Sequence, residues 1–151
     1  MTDLTRTAVT ATAHCLTGCA IGEVAGLAIG TAMGLGDGRT IALAVTLAFL
    51  FGYAFTLVPL LRSGLGGRAA VRVALAADTV SIAVMEVVDN AVMLSVPGAM
   101  NAGLVEPLFW GALAFALAVA FVVALPVNRW LIARGRGHAV AHPHHHHPQG
   151  A

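Results

Sequence analysis

The chain has 151 residues, 58% of them hydrophobic and 10% charged, against roughly a quarter charged in an ordinary soluble domain. Its net charge of +1 leaves no basic footprint for nucleic acid. So few polar groups cannot cover the surface of a soluble fold, and the length suits one unit, so the composition points to an all-α polytopic protein whose partner is the lipid bilayer.

Four stretches read as transmembrane helices, each near the roughly 20 apolar residues that span the hydrocarbon core. Residues 1–12 are polar and Thr-rich, and the apolar stretch behind them is too long for the h-region of a signal peptide. The first span, Ala8–Leu35, includes His14 and Glu23. Gly36-Asp37-Gly38-Arg39 is a turn. The second span, Thr40–Leu61, has no charged residue; it is rich in aromatics, and Pro59 is expected to bend its end. A Gly-rich connector, 63–67, leads to the third span, Ala69–Val96, which holds Arg72, Asp78, Glu86 and Asp89. Pro97-Gly98 ends it. Pro107 opens the fourth span, Pro107–Val127, again uncharged, followed by Asn128-Arg129-Trp130, which reads as an interfacial anchor. The second and fourth spans read as lipid-facing walls. The apolar runs are continuous rather than alternating, which disfavours a β-barrel. The expected architecture is a four-transmembrane-helix bundle over residues 1–138 and a disordered tail over 139–151.

All eight basic residues are arginines. With four spans, Arg6, Arg62, Arg68, Arg72, Arg129, Arg134 and Arg136 fall on one side and Arg39 alone on the other. The positive-inside rule places the larger group, and both termini, in the cytoplasm. The first and third helices then run in the same direction.

The first helix carries two rows of chemistry. Gly18, Gly22, Gly26, Gly30 and Gly34 recur every fourth residue, a small-xxx-small row for close helix packing, within the chain or in a homo-oligomer. Cys15, Cys19 and Glu23 form an adjacent row. His14 lies about 100° round the helix from Cys15. The third helix gathers Asp78, Ser81, Met85, Glu86, Asp89, Asn90 and Met93 within about half its circumference. Each carboxyl at that depth costs roughly 2.5–3.5 kcal/mol on insertion scales. Such groups face the interior and have partners, yet no base within the spans can neutralise Glu23, Glu86 and Asp89. Protons, water or a bound cation must do so.

The spacing from His14 to Glu23 resembles that from Asp78 to Glu86 and Asp89. Two polar layers are therefore expected between the parallel helices. One holds His14, Cys15, Cys19, Asp78 and Ser81; the deeper one holds Glu23, Glu86, Asp89 and Asn90. Imidazole and thiolate suit copper or zinc, and Met85 and Met93 are accessory soft ligands. The candidate metal set is His14, Cys15, Cys19, Glu23, Asp78, Met85, Glu86 and Asp89. No organic cofactor is indicated. Duller readings stand beside it: buried cysteines are often packing residues, a lone histidine is often hydrogen-bonded in a core, and protonated acids can be structural. The tail holds His142 and His144, His145, His146 and His147, an accessory metal tract. Its Pro-flanked setting favours a native tract over an affinity tag.

The run His14-Cys15-x-x-Gly18-Cys19-Ala20-Ile21-Gly22-Glu23 with its glycine row, the Asp78…Met85-Glu86…Asp89-Asn90 helix, and the Asn128-Arg129-Trp130-Leu131-Ile132-x-x-Gly135-x-Gly137-His138 ending resemble a family of small bacterial membrane proteins. It is catalogued as domain of unknown function 4396. The resemblance covers most of residues 15–138. It implies a four-helix membrane domain, hence a multi-pass protein of the bacterial inner membrane, and no activity.

Three functions follow from the residues. The first is a membrane protein that binds or moves a copper- or zinc-class ion. The second is a proton- or cation-coupled small-solute transporter, with the acids as relay. The third is a non-catalytic subunit or scaffold of a membrane complex. An intramembrane enzyme with a Cys nucleophile is disfavoured, because His14 and Cys15 point apart.

Overall fold

The computed structural model describes residues 3–62, 64 and 66–134. The histidines of the tail, and the ending from Gly135 to His138, lie outside the described residues. Within them the fold is all-α. The helices are α1 (Asp3–Ala32), α2 (Asp37–Arg62), α3 (Gly67–Ser95) and α4 (Pro107–Ala133), with a single 3₁₀ turn at Ala99–Asn101 between α3 and α4.

The helix ends follow from local chemistry. Asp3 and Asp37 stand in the first turns of α1 and α2, where a carboxylate complements the helix dipole. Gly34 adopts φ +64, and the Leu35 N–H donates to the Gly30 carbonyl at 2.9 Å while the Gly34 N–H donates to Thr31 at 3.1 Å. This is the left-handed glycine cap that closes a helix C-terminus. α3 ends where Pro97 forces Val96 into extended backbone. Pro107 starts α4 at a position that needs no N–H. α1 begins five residues before the expected span, and α4 continues through Pro126 to Ala133, six residues past its expected end. A helix tolerates an internal proline where neighbouring groups take up the carbonyl it frees.

The four helices pack in a ring, α1 against α2, α2 against α3, α3 against α4, and α4 back against α1. α1 and α3 sit on the diagonal and meet in the centre. The α1–α2 seam is the most extensive. A Cβ on Gly22 would overlap the carbonyl of Leu47, one on Gly26 would overlap the Ala44 backbone, one on Gly30 would lie 2.6 Å from Thr40, and one on Gly18 would lie 3.1 Å from the Gly52 Cα. The α2 side of the seam is itself small, with Thr40, Ala44, Ala48, Gly52 and Thr56 buried at every fourth position. A third such row, Ala112, Ala116, Ala120 and Ala124, is buried on α4. Of these three rows, only the glycines stand out in the sequence. Gly34 does not belong to the packing row; nothing approaches it within 4 Å, and its role is the helix cap. Because Gly18, Gly22, Gly26 and Gly30 are covered by α2, a homo-oligomer would have to use another face.

α1, α2 and α4 are long and apolar enough to cross a membrane, which marks the chain as a membrane protein. α3 is as long, at 29 residues, but carries Asp78, Glu86 and Asp89. These acids are buried, whereas Val80, Val87 and Leu94 of the same helix are exposed.

The α1–α2 seam makes a direct prediction. Gly22→Ala should destabilise the protein by about 1–3 kcal/mol, the usual cost of overpacking a rigid contact. Gly38→Ala, which meets nothing within 4 Å, should be neutral or slightly stabilising. Thermal unfolding of both variants in mild detergent measures the contrast.

Candidate functional site

The row of α1 beside the glycines points to the bundle centre. Cys15 and Cys19 are free and buried. They pack with Ile82 and Met85 of α3, Ala48 of α2, and Ala120 and Ala124 of α4 in one apolar cluster. Ser81 Oγ donates to Cys15 Sγ at 3.8 Å. Asp78, one turn before Ser81, is wholly buried.

His14 turns the other way. Its Nε2 donates to the backbone carbonyl of Phe55 at 2.9 Å, and its ring lies 5.3 Å from the Phe55 ring. Phe55 is four residues before Pro59, which has no N–H to offer that carbonyl. His14 thus supplies across the seam the donor that Pro59 removes within α2. One ring nitrogen is used up, and the imidazole is directed at α2 rather than at the thiols. The rotation of about 100° between adjacent helical residues is the physical reason.

Near the N-terminal end of α1 and the C-terminal end of α4, Asn128 Nδ2 donates to Thr12 Oγ1 at 2.8 Å, and Thr12 donates to the Ala8 carbonyl at 2.7 Å. Asn128 is therefore a buried link between helices and not part of a surface anchor. Trp130 is exposed, and the Arg134 guanidinium sits 4.2 Å from its ring centre.

The acids of α1 and α3 do come together. Glu23 is 5% exposed, Glu86 5% and Asp89 2%, and the Glu23 carboxyl faces Asp89, with Glu86 close enough for its charge to act on Glu23. Apart from the Glu23 carboxyl, no donor group among the described residues reaches Asp89 or Glu86 Oε2. The Asn90 amide donates instead to the Glu86 backbone carbonyl at 2.9 Å. Two carboxyls facing each other share a hydrogen bond only when one carries a proton. Charge of one sign in so dry a place demands a counter-charge, whether a proton or a cation.

A cavity of about 330 Å³ leads to this group. It opens between the α1–α2 turn and the segment after α3, with exposed Asp37 at its mouth. Thr31, Thr40, Asn90 and Asn101 contribute polar atoms, and Glu23 lies at its inner end. Of the lining residues, the sequence singles out Glu23, Asn90 and Met93 for the polar face and Gly34 for the glycine row, and none as the wall of a cavity. Turn residues and helix ends carry no periodic signal, so the sequence offered no cue to them beyond the position of Asp37 beside the turn. On the far side of the acids lies the apolar cluster of Cys15, Cys19, Ile82 and Met85.

The expected metal set is therefore divided. His14 is bound to α2, Cys15, Cys19 and Met85 share the apolar cluster, and Glu23, Glu86 and Asp89 form a separate oxygen group. Among the described residues no three His, Cys, Asp or Glu side chains converge as a metal site. Of the two expected layers, one pair in each is seen, Cys15 with Ser81 and Glu23 with Asp89, while His14 of the inner layer faces α2.

Residues 5–137 match the model of a family described as Domain of unknown function (DUF4396), and the chain belongs to that family. No curated protein and no solved structure matched the chain.

The His14 contact is testable by a double-mutant cycle. His14→Phe should cost about 1–3 kcal/mol, the penalty of leaving a half-buried carbonyl without a donor. Pro59→Ala restores an N–H within α2, so in that background His14→Phe should cost clearly less. Equal costs in the two backgrounds, measured by denaturant titration in detergent, would refute the pairing.

Proposed function

We propose that this family member is a four-span protein of the bacterial inner membrane, both termini cytoplasmic, that moves protons or cations through Glu23, Asp89 and Glu86, coupled to a small solute. The observation that carries this reading is the cavity ending on a buried carboxyl. It gives the acid group a path to one surface, and ionisable groups at that depth are characteristic of relays. α3 supports its role as a span by its exposed Val80, Val87 and Leu94, which suit lipid while its acids face inward. The arginine asymmetry assigns the cavity mouth to the outer side.

A copper- or zinc-class ion remains a second reading for one reason: two thiols and the Met85 thioether lie in one cluster, and soft ligands select Cu(I). His14 would not join them without leaving Phe55.

The relay is tested in liposomes holding a pH-sensitive dye, under an imposed potential and with sodium, potassium, magnesium or ammonium supplied outside. Wild type should move protons faster than empty vesicles for at least one of these ions, and Glu86→Gln should slow it by at least about tenfold, the scale of a lost proton-transfer group. No difference from empty vesicles with any ion overturns the relay. For the metal reading, mass spectrometry on chain with His142 and His144–His147 replaced by Ser should find about one ion per chain, lost in Cys15→Ser with Cys19→Ser. No bound ion after copper and zinc repletion under reducing conditions overturns it.

A further inference from the structure

We propose that the cavity is a binding site for a small organic monocation, an amine or quaternary ammonium with an apolar portion. This deepens the relay reading by naming the class of solute, and it rests on that reading only for the direction from which the solute arrives.

Three observations point to this chemistry. The first is size. A volume of about 330 Å³ is that of about ten waters and lies at the lower end of small-molecule pockets. It far exceeds what a bare ion requires. The second is charge. Among the described residues the lining has one deeply buried carboxyl, Glu23, one carboxylate at the mouth, Asp37, and no basic residue. Asp37 would attract a cation to the opening, and Glu23 would meet one positive charge at the floor. A hard divalent ion would require six or more oxygens converging on a point, whereas the polar atoms here are spread along the cavity. The third is the wall between the two acids. Leu27, Ile41, Met93, Leu104 and Phe109 line it, and their surface would be wasted on a hydrated inorganic ion. Phe109 is held edge-on to Trp110, with ring centres 5.2 Å apart, and Trp110 is itself fixed by its Nε1–H to the Leu104 carbonyl at 2.8 Å. Phe109 is thus firmly held and gives the cavity a rigid apolar contact for an aliphatic or aryl group. Asn90 and Asn101 remain as hydrogen-bond partners for N–H groups.

Glu23 is nearly inaccessible to solvent yet forms part of the cavity lining, so a ligand's charge would be met where water is scarce and electrostatic attraction is strong.

Titration calorimetry on full-length protein in mild detergent tests the proposal, with phenethylammonium and tetraethylammonium as probes and the neutral 2-phenylethanol as control. Both cations should bind saturably at one site per chain. The alcohol should bind at least about tenfold more weakly, as expected when a single buried ion pair worth about 1.4 kcal/mol is missing. Glu23→Gln should weaken the cations by a similar factor. Thr31→Trp, at an exposed position on the cavity wall, should block both probes while leaving Glu23 in place, which covers the case in which Glu23→Gln does not fold. Phospholipid headgroups carry the same ammonium chemistry. A lipid adduct in native mass spectra that phenethylammonium displaces would identify the headgroup as the natural source, and binding without such an adduct would identify a free amine. Absence of saturable cation binding, or binding unchanged in both variants, overturns the proposal. Proton flux in liposomes together with no amine binding would remove this inference and leave the relay standing; amine binding with no flux would do the reverse.

Discussion

The structure depends on how closely α1 approaches α2. A methyl group on Gly22 or Gly26 would overlap the facing backbone and one on Gly30 would meet the Thr40 side chain, while Gly18 leaves only tight room beside Gly52. With the glycine row committed to α2, the row beside it, Cys15, Cys19 and Glu23, has only the bundle centre to enter. The diagonal helix α3 must then present its own polar face there, because its other face is Val80, Val87 and Leu94. The burial of Glu23, Asp78, Glu86 and Asp89 is thus a consequence of small-residue packing, which in lipid has to stand in for the hydrophobic drive between helices. The alanine row of α4 completes the enclosure from the opposite side.

His14 shows the same economy on a smaller scale. Pro59 removes one hydrogen bond inside α2, and an imidazole 41 residues earlier in the chain replaces it. In hydrocarbon an orphan carbonyl costs several kcal/mol, so the proline and the histidine belong together. The contact also fixes the axial register of α1 on α2. That register in turn sets Glu23 at the floor of the cavity and Thr40 beside Gly30.

Much of this is legible in the sequence. The apolar runs and their Gly and Pro punctuation place every helix, since length and continuity are strong signals in a membrane chain. The meeting of Glu23 with Asp89 and of Cys15 with Ser81 follows from two helices of one direction and similar starting depth. Other features were not legible, for physical reasons. A single ligand set could not be ruled in or out, because spacing along a helix does not say which of two neighbouring faces turns to which partner. His14 and Cys15 are adjacent in sequence and diverge in space. The role of Asn128 depends on Thr12, 116 residues away, and no local pattern links them. The Pro59–Phe55 relation was available, since a proline always frees the carbonyl four residues earlier, but its donor was not.

The cavity and the apolar cluster lie in series along the bundle. The carboxyls stand between a wet end and a dry septum of Cys15, Cys19, Ile82 and Met85. In the proposed orientation, most of the voltage drop across the membrane would fall over that septum, because the electric field concentrates where the dielectric is lowest. A positive charge reaching Glu86 would already have crossed part of the field, and a full crossing is worth about 2.3 kcal/mol per 100 mV. Occupancy of the acids would then follow the energised state of the cell, filling when the inside is negative and emptying when the potential collapses.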